Sequence, residues 1–145
     1  MARLNPYLNF NGNTEDAFLF YKSVFGGEFE AFSRFSDAPD TPGMQALPEA
    51  DKSKVMHVSL PIGNGMRLMG TDVLSSMGHP PVSGNNISLS LAPDSEPETR
   101  RLYEALSEGG TIEVPLEAMF WGALFGMVTD QFGIKWMVNF EMEKK

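Results

Sequence analysis

The chain reads FYKSVFGGEFE at residues 20–30 and LYEALSEGGTIE at residues 102–113. In each stretch a helix-like run ends in a glycine pair and passes straight into a strand-like one. An offset of 81 to 83 residues relates matching positions of the two stretches. Such self-similarity is the mark of an internal repeat, so the fold is read as one unit used twice.

Working outward from the first copy, residues 3–11 alternate, with Leu4, Pro6, Leu8 and Phe10 set against Asn5, Tyr7 and Asn9. That pattern predicts a strand. Asn13 or Thr14 can cap the helix that follows, and Glu15 and Asp16 suit its first turn. Its apolar stripe is Ala17, Phe20, Tyr21 and Val24. EFEAFSRFS, VMHVSLPIG and MRLMGTDV are three more strands, the last two joined by a tight Gly63-Asn64-Gly65 turn. Between the first two of these, residues 37–53 carry three prolines and four acids and are expected to form a surface loop or a lid over a site. Residues 75–84, SSMGHPPVSG, make a linker, and the order then begins again. NISLSLAP is a strand. DSEPETRRLYEALSEGG is a helix with Pro97 in its first turn. TIEVPLEAMFWG, LFGMVTD and IKWMVNFE are strands. The expectation is an α+β fold of two βαβββ modules, 1–74 and 85–145, sharing one core, since either half alone would bury little.

Bulk properties narrow the function classes. The net charge of −8 and the scattered basic residues argue against a nucleic-acid partner. There is no cysteine, hence no disulfide framework and no thiolate metal site. No apolar run is long enough to cross a membrane, and MARLNPYLNF has no signal-peptide core, so a cytoplasmic location is expected.

In IKWMVNFE, residues 134–141, Trp136, Val138 and Phe140 form one face and Lys135, Met137 and Asn139 the other. The second face is neither a charged surface nor an apolar core. Asn5, Tyr7 and Asn9, then Arg67, Met69 and Thr71, then Asn86, Ser88 and Ser90 repeat the pattern on three other strands.

The tandem βαβββ order resembles the vicinal oxygen chelate superfamily of glyoxalase I, bleomycin-resistance proteins and extradiol dioxygenases. PYLNFNGNTEDAFLFYKSVFGGE, MHVSLPIGNGMRLMGTD and FWGALFGMVTDQFGIKWMVN together are similar to its PhnB-like branch, some members of which carry a ubiquinone-pathway methyltransferase label. The resemblance implies that the strands curl into a mixed β-sheet cup with helices outside, so that the mixed faces line the cup. It places the superfamily metal ligands at Asn5, Met69, Asn86 and Met137. Amides and thioethers there are a poor donor set for Zn, Mn or Fe, so no metal is expected. It also implies a homodimer.

The expected pocket residues are Tyr7, Asn9, His57, Arg67, Met69, Asn86, Ser88, Trp121, Met137 and Asn139, a mixed apolar and amide lining suited to an unidentified small organic molecule. Among them His57 is the one candidate for chemistry. It is grouped by parity with Val55 and Ser59, and is either a general base or a hydrogen-bonded structural residue. Glu113 or Glu117 is a conceivable acid partner for it. His79 is expected in solvent, Asp130 in a hairpin turn, and Trp121 either in the core or on the wall of the cup. FNGN and IGNG are turns rather than nucleotide cradles, so neither methyl transfer nor any cofactor is called for. Three readings remain: a small-molecule-binding protein or metal-independent enzyme of unknown reaction, a drug-sequestering protein of the bleomycin-resistance type without catalysis, and a scaffold whose cup is filled.

Overall fold

The structure is a computed structural model and describes residues 2–37, 47–77 and 79–142. The chain divides into two compact units, Met1–Val82 and Ser83–Lys145. The greater part of the 37–53 segment, residues 38–46, lies outside the described residues, and with it the expectation of a lid.

In the first unit the order is β1 (Tyr7–Phe10), α1 (Thr14–Phe25), β2 (Ala31–Arg34), a short helix α2 (Glu49–Lys52), β3 (Val55–Gly63) and β4 (Met66–Asp72). The strands form one sheet in the order β1-β4-β3-β2. Only the β1–β4 pair is parallel. The second unit has β5 (Leu89–Leu91), α3 (Glu96–Ser107), β6 (Thr111–Ala118), β7 (Ala123–Thr129) and β8 (Lys135–Glu141). Its sheet has the order β5-β8-β7-β6, with β5–β8 parallel. The topology of one unit is therefore that of the other, as the repeat in sequence implies, and neither sheet closes on itself.

Each helix covers one face of its own sheet. Ala17, Phe18, Tyr21 and Val24 of α1 are buried, as are Leu102, Tyr103 and Leu106 of α3. Burying each large side chain stabilises by about 1.5–3 kcal/mol, which is why this stripe rather than helix propensity holds the helix in place. The approach is close enough to require glycine. A Cβ on Gly70 would lie 2.6 Å from the Phe18 ring, and one on Gly126 would lie 2.6 Å from the Tyr103 ring.

Several elements differ from the sequence reading. β1 starts only at Tyr7, because Pro6 has no N–H to give the ladder, although its carbonyl still accepts from Met69 N at 3.0 Å. β5 is three residues long and leaves Asn86 outside it. Residues 49–52 form a helical turn within the segment expected to be loop, pinned by Lys54 Nζ on the buried Asp51 carboxylate at 2.8 Å. α1 has no cap from Asn13. Its first free N–H, that of Thr14, instead donates to Asp72 Oδ1 at 3.0 Å, from the far end of β4. α3 is capped locally, with Glu98 N donating to Ser95 Oγ at 3.2 Å.

Candidate functional site

The face of each sheet turned away from its helix carries the polar side chains. In the first unit Leu68, Gly70 and Asp72 of β4 are buried, while Arg67, Met69 and Thr71 are half-buried. Register places Tyr7 beside Met69, Met69 beside Ser59, and Asn9 beside Thr71. His57 joins this face, but Val55 does not. Ser33 pairs with His57 and Arg34 with Val55, so Met56 is an extra residue that reverses the alternation. Val55 is consequently buried in the core, at 1% exposure, and the grouping of Val55 with His57 by parity fails at that bulge.

Two clusters occupy the first face. Tyr7 Oη and His57 Nδ1 are 3.2 Å apart, and the two rings stack with centroids 5.8 Å apart. Burial raises the pKa of the Tyr7 phenol, opposed by the neighbouring Thr71 hydroxyl. The phenol therefore stays protonated near neutrality. Thr71 Oγ1 in turn donates to the Met56 carbonyl at 2.7 Å. In the second cluster, Ser59 Oγ donates to Glu30 Oε2 at 2.9 Å, and Arg67 Nε donates to the same oxygen. The Arg67 hydrogen bond lowers the pKa of Glu30, with Ser59 helping and the charges of Arg67 and His57 adding to the effect. Arg67 thus faces the open side with its charge already matched.

In the second unit Lys135, Met137 and Asn139 are half-buried and Trp136 and Val138 buried, as their alternation predicts. Thr129 Oγ1 donates to Glu113 Oε1 at 2.9 Å and receives Lys135 Nζ at 3.1 Å. This is an acid–hydroxyl–cation group like that of Glu30, Ser59 and Arg67. Ser88 is half-buried, whereas Asn86 is exposed. Trp121 lies in the β6–β7 turn, 53% exposed, against Phe120 and Phe125, so the core reading of this residue does not hold. An open depression of about 410 Å³ lies beside Asn139, lined also by Ala92, Pro93, Asp94, Phe140 and Glu141. Its two carboxylates disfavour an anionic occupant.

His79 is exposed. Asp130 organises the β7–β8 turn, its Oδ1 accepting from Phe132 N and Ile134 N and its Oδ2 from Trp136 Nε1 at 2.8 Å. Glu113 belongs to the second unit and is engaged there with Thr129 and Lys135; Glu117 is an exposed residue of the same strand. No helix among the described residues is long and apolar enough to cross a membrane.

The donor set at the superfamily metal positions does not fit a metal. The Asn5 carboxamide oxygen already accepts from Arg67 N at 3.0 Å. Met69 and Met137 offer only thioethers, and Asn86 is an exposed amide outside its strand. Among the described residues no three His, Cys, Asp or Glu side chains converge as a metal site. The β1–α1 turn does not cradle a phosphate either. The N–H groups of Gly12 and Thr14, which would have to face one, both donate to Asp72 Oδ1 at 3.0 Å.

The two repeated sheets, each with a helix on one face and an open polar face, define a glyoxalase-like fold. A glyoxalase/bleomycin resistance protein from Albidiferax ferrireducens T118 shares it at a TM-score of 0.63 and 16% identity over 95% of this chain and 98% of that one. The chain belongs to the 3-demethylubiquinone-9 3-methyltransferase family, in its PhnB-like form, whose match spans residues 2–139. It is 32% identical to Protein YjdN of Escherichia coli K12 over 139 residues, covering 94% of this chain and 93% of that protein. The crystal structure of PA1353 from Pseudomonas aeruginosa is 39% identical, with a TM-score of 0.82 over 99% of this chain and all (100%) of that one. The PhnB protein from Bacillus cereus is 26% identical, with a TM-score of 0.73 over 96% of this chain and 99% of that one.

Proposed function

We propose that the chain binds a small, neutral or mildly polar organic molecule on the open sheet faces, without the superfamily metal, and that it is a metal-independent enzyme. The observation that carries this reading is the first unit's open face. There a tyrosine, a histidine, an amide and a thioether (Tyr7, His57, Asn9 and Met69) share one side of three adjacent strands. A side that served only as a solvated surface would be dominated by free charges. Here Arg67 is bonded to Glu30. The methyl transfer in the family's description is not adopted, since the glycine turn between β1 and α1 has its Gly12 and Thr14 donors bonded to Asp72.

The test is a fragment screen read by amide and methyl NMR. Ligands of this class are expected to shift Met69, Tyr7 and Asn9, or Met137 and Asn139 in the second unit. Tyr7→Ala and Met69→Ala should weaken binding about tenfold each, the loss of one good apolar contact. Shifts confined to other surfaces would overturn the reading. The protein is also proposed to be a homodimer, because each sheet ends in two edge strands, β1 and β2 or β5 and β6, that a second copy could cover. Light scattering at the monomer mass of 16.0 kDa would reject it.

A further inference from the structure

The open depression of the second unit lies where its two parallel strands part. Leu89 pairs with Trp136, Ser90 with Met137 and Leu91 with Val138. The depression is lined by the three residues that follow the last pair on each side, Ala92, Pro93 and Asp94 after β5 and Asn139, Phe140 and Glu141 of β8. In the first unit the same place is closed. Tyr7 pairs with Met69 as Ser90 does with Met137, but there the ladder runs on through Asn9 with Thr71 and Phe10 with Asp72, and Val73 N donates to the Phe10 carbonyl at 2.7 Å. The Asp72 carboxylate then ties the fork to α1 and β3 by accepting from Gly12 N, Thr14 N and Val55 N. By the same register Pro93 stands where the first unit has Phe10, and Phe140 where it has Asp72. Proline has no N–H to give a ladder, and a benzyl group cannot accept from the start of a helix. α3 is capped by its own Ser95 instead. The second fork therefore stays open, at the carboxyl ends of two parallel strands, which is where open sheets with βα units take their ligands.

The chemistry of this crevice selects a cation. Asp94 and Glu141 are exposed, and among the described residues neither carboxylate has a hydrogen-bond or ion-pair partner; nor does the Asn139 side chain. The neighbouring acids of α3 differ, since Glu96 holds Arg100 and Glu98 holds Arg101. Among the described residues no lysine or arginine lines the crevice. The charge of −8 on the chain adds to the attraction for a cation. A bare metal ion is a poor match, because two carboxylates and an amide around an open space of about 410 Å³ do not form a closed coordination shell. The space suits an organic molecule, with Ala92, Pro93 and Phe140 as its apolar wall.

We propose that the crevice at the open end of the β5–β8 pair binds a small organic ammonium ion, its apolar body against Pro93 and Phe140 and its N–H groups shared among Asp94, Glu141 and the Asn139 carboxamide oxygen. A primary ammonium carries three donors and no acceptor, which matches three side chains that have acceptors to offer. An anion of the same shape meets two carboxylates, and a neutral alcohol forgoes the charge-assisted bonds. The site lies at the end of the second sheet and does not rest on the reading of the first unit's open face.

The test is an amide NMR titration of the whole chain at low ionic strength with three probes of like shape: phenethylammonium chloride, 2-phenylethanol and phenylacetate. The ammonium ion is expected to shift the amides of Asp94, Asn139, Phe140 and Glu141 to saturation. The alcohol should bind several-fold more weakly and phenylacetate should leave these amides in place. Asp94→Asn and Glu141→Gln should each weaken the ammonium ion roughly two- to fivefold, the range of an exposed ion pair. Glu104→Gln removes the same charge from an exposed position of α3 outside the crevice and should change nothing. Shifts that never saturate, or an equal loss from Glu104→Gln, would show attraction to the acidic surface at large and overturn the site. Saturation by 2-phenylethanol or phenylacetate as tight as by the ammonium ion would overturn the ligand class.

Discussion

Replacing Asp72 with asparagine tests whether the first unit is held together from the end of β4. The side chain is 2% exposed. Its Oδ1 accepts from Gly12 N and Thr14 N at 3.0 Å and from Thr14 Oγ1 at 2.6 Å, and its Oδ2 accepts from Val55 N at 2.8 Å. One carboxylate thereby joins β1, the start of α1, β3 and β4. In asparagine the amide oxygen would take the three-donor side, turning the NH2 group against the Val55 N–H. One charge-assisted bond is lost and a buried donor is left unpaired, at a cost of about 3 kcal/mol. At 2–4 °C per kcal/mol for a chain of this size, melting should fall by roughly 6–12 °C. Urea titration should show a lower midpoint with unchanged slope, and hydrogen exchange should quicken first at Gly12, Thr14 and Val55. The same variant should disturb His57, since Asp72 fixes the turn that follows Tyr7 and the N–H two residues before His57. A loss below about 1 kcal/mol, with the Val55 amide still protected, would show that these bonds do not carry the junction.

Gly70→Ala should cost about 1–3 kcal/mol by thermal melt, because the Phe18 ring 2.6 Å from the new Cβ is fully buried and has no room to withdraw. Trp136→Phe should cost about 1–3 kcal/mol in urea by leaving Asp130 Oδ2 without its indole donor. Glu15, Glu30 and Glu98 have pKa values lowered from 4.5, each chiefly by an arginine hydrogen bond. Their contribution to stability is therefore present above 4.5 and lost as pH falls through the lowered values. Acid titration of the melting temperature should show that decline, and 1 M salt should flatten it, about 3 Å being the screening length there. Adding Zn, Mn, Ni or Fe should leave the melting temperature unchanged, as differential scanning calorimetry would show, since two amides and two thioethers provide too little differential binding.

The period-two signal was enough to assign faces wherever a strand was regular. Leu68, Gly70 and Asp72 face the helix and Arg67, Met69 and Thr71 do not, as the alternation says. It failed at Met56, where one extra residue reverses every side chain before it, and nothing in VMHVSLP marks the bulge. It also overextended β1 and β5. Pro6 is visible as a missing donor, but the end of pairing at Leu89 depends on a neighbouring strand rather than on local sequence. Asp72 was the largest omission: an acid at the end of a strand reads as a turn residue, and its four donors come from residues 17 to 60 positions away. The partner of His57 was equally hidden. No acid or amide stands within two residues of it, and Tyr7, 50 positions away, becomes a neighbour only through the parallel β1–β4 pair.

The antiparallel β3–β4 and β7–β8 pairs show how the two units differ. Ser59 pairs with Met69 in the first sheet as Met127 pairs with Met137 in the second. Two residues earlier on the same strands stand His57 and Phe125. An acid–hydroxyl–cation group occurs in both units, as Glu30, Ser59 and Arg67 and as Glu113, Thr129 and Lys135, with the hydroxyl two residues farther along its strand in the second. A feature kept at both places answers to the sheet itself, bracing the start of the second strand against the third and fourth. A feature present in one unit alone answers to something else. Where the first sheet has an imidazole stacked on a phenol, the second has a benzyl ring in edge contact with Trp121, whose indole is half in solvent. Among the described residues the phenol–imidazole pair belongs to the first unit and the Trp121–Phe125 contact to the second. Ligand contacts that rely on proton exchange should respond to changes at Tyr7 and His57, and those that rely on apolar area to changes at Trp121 and Phe125.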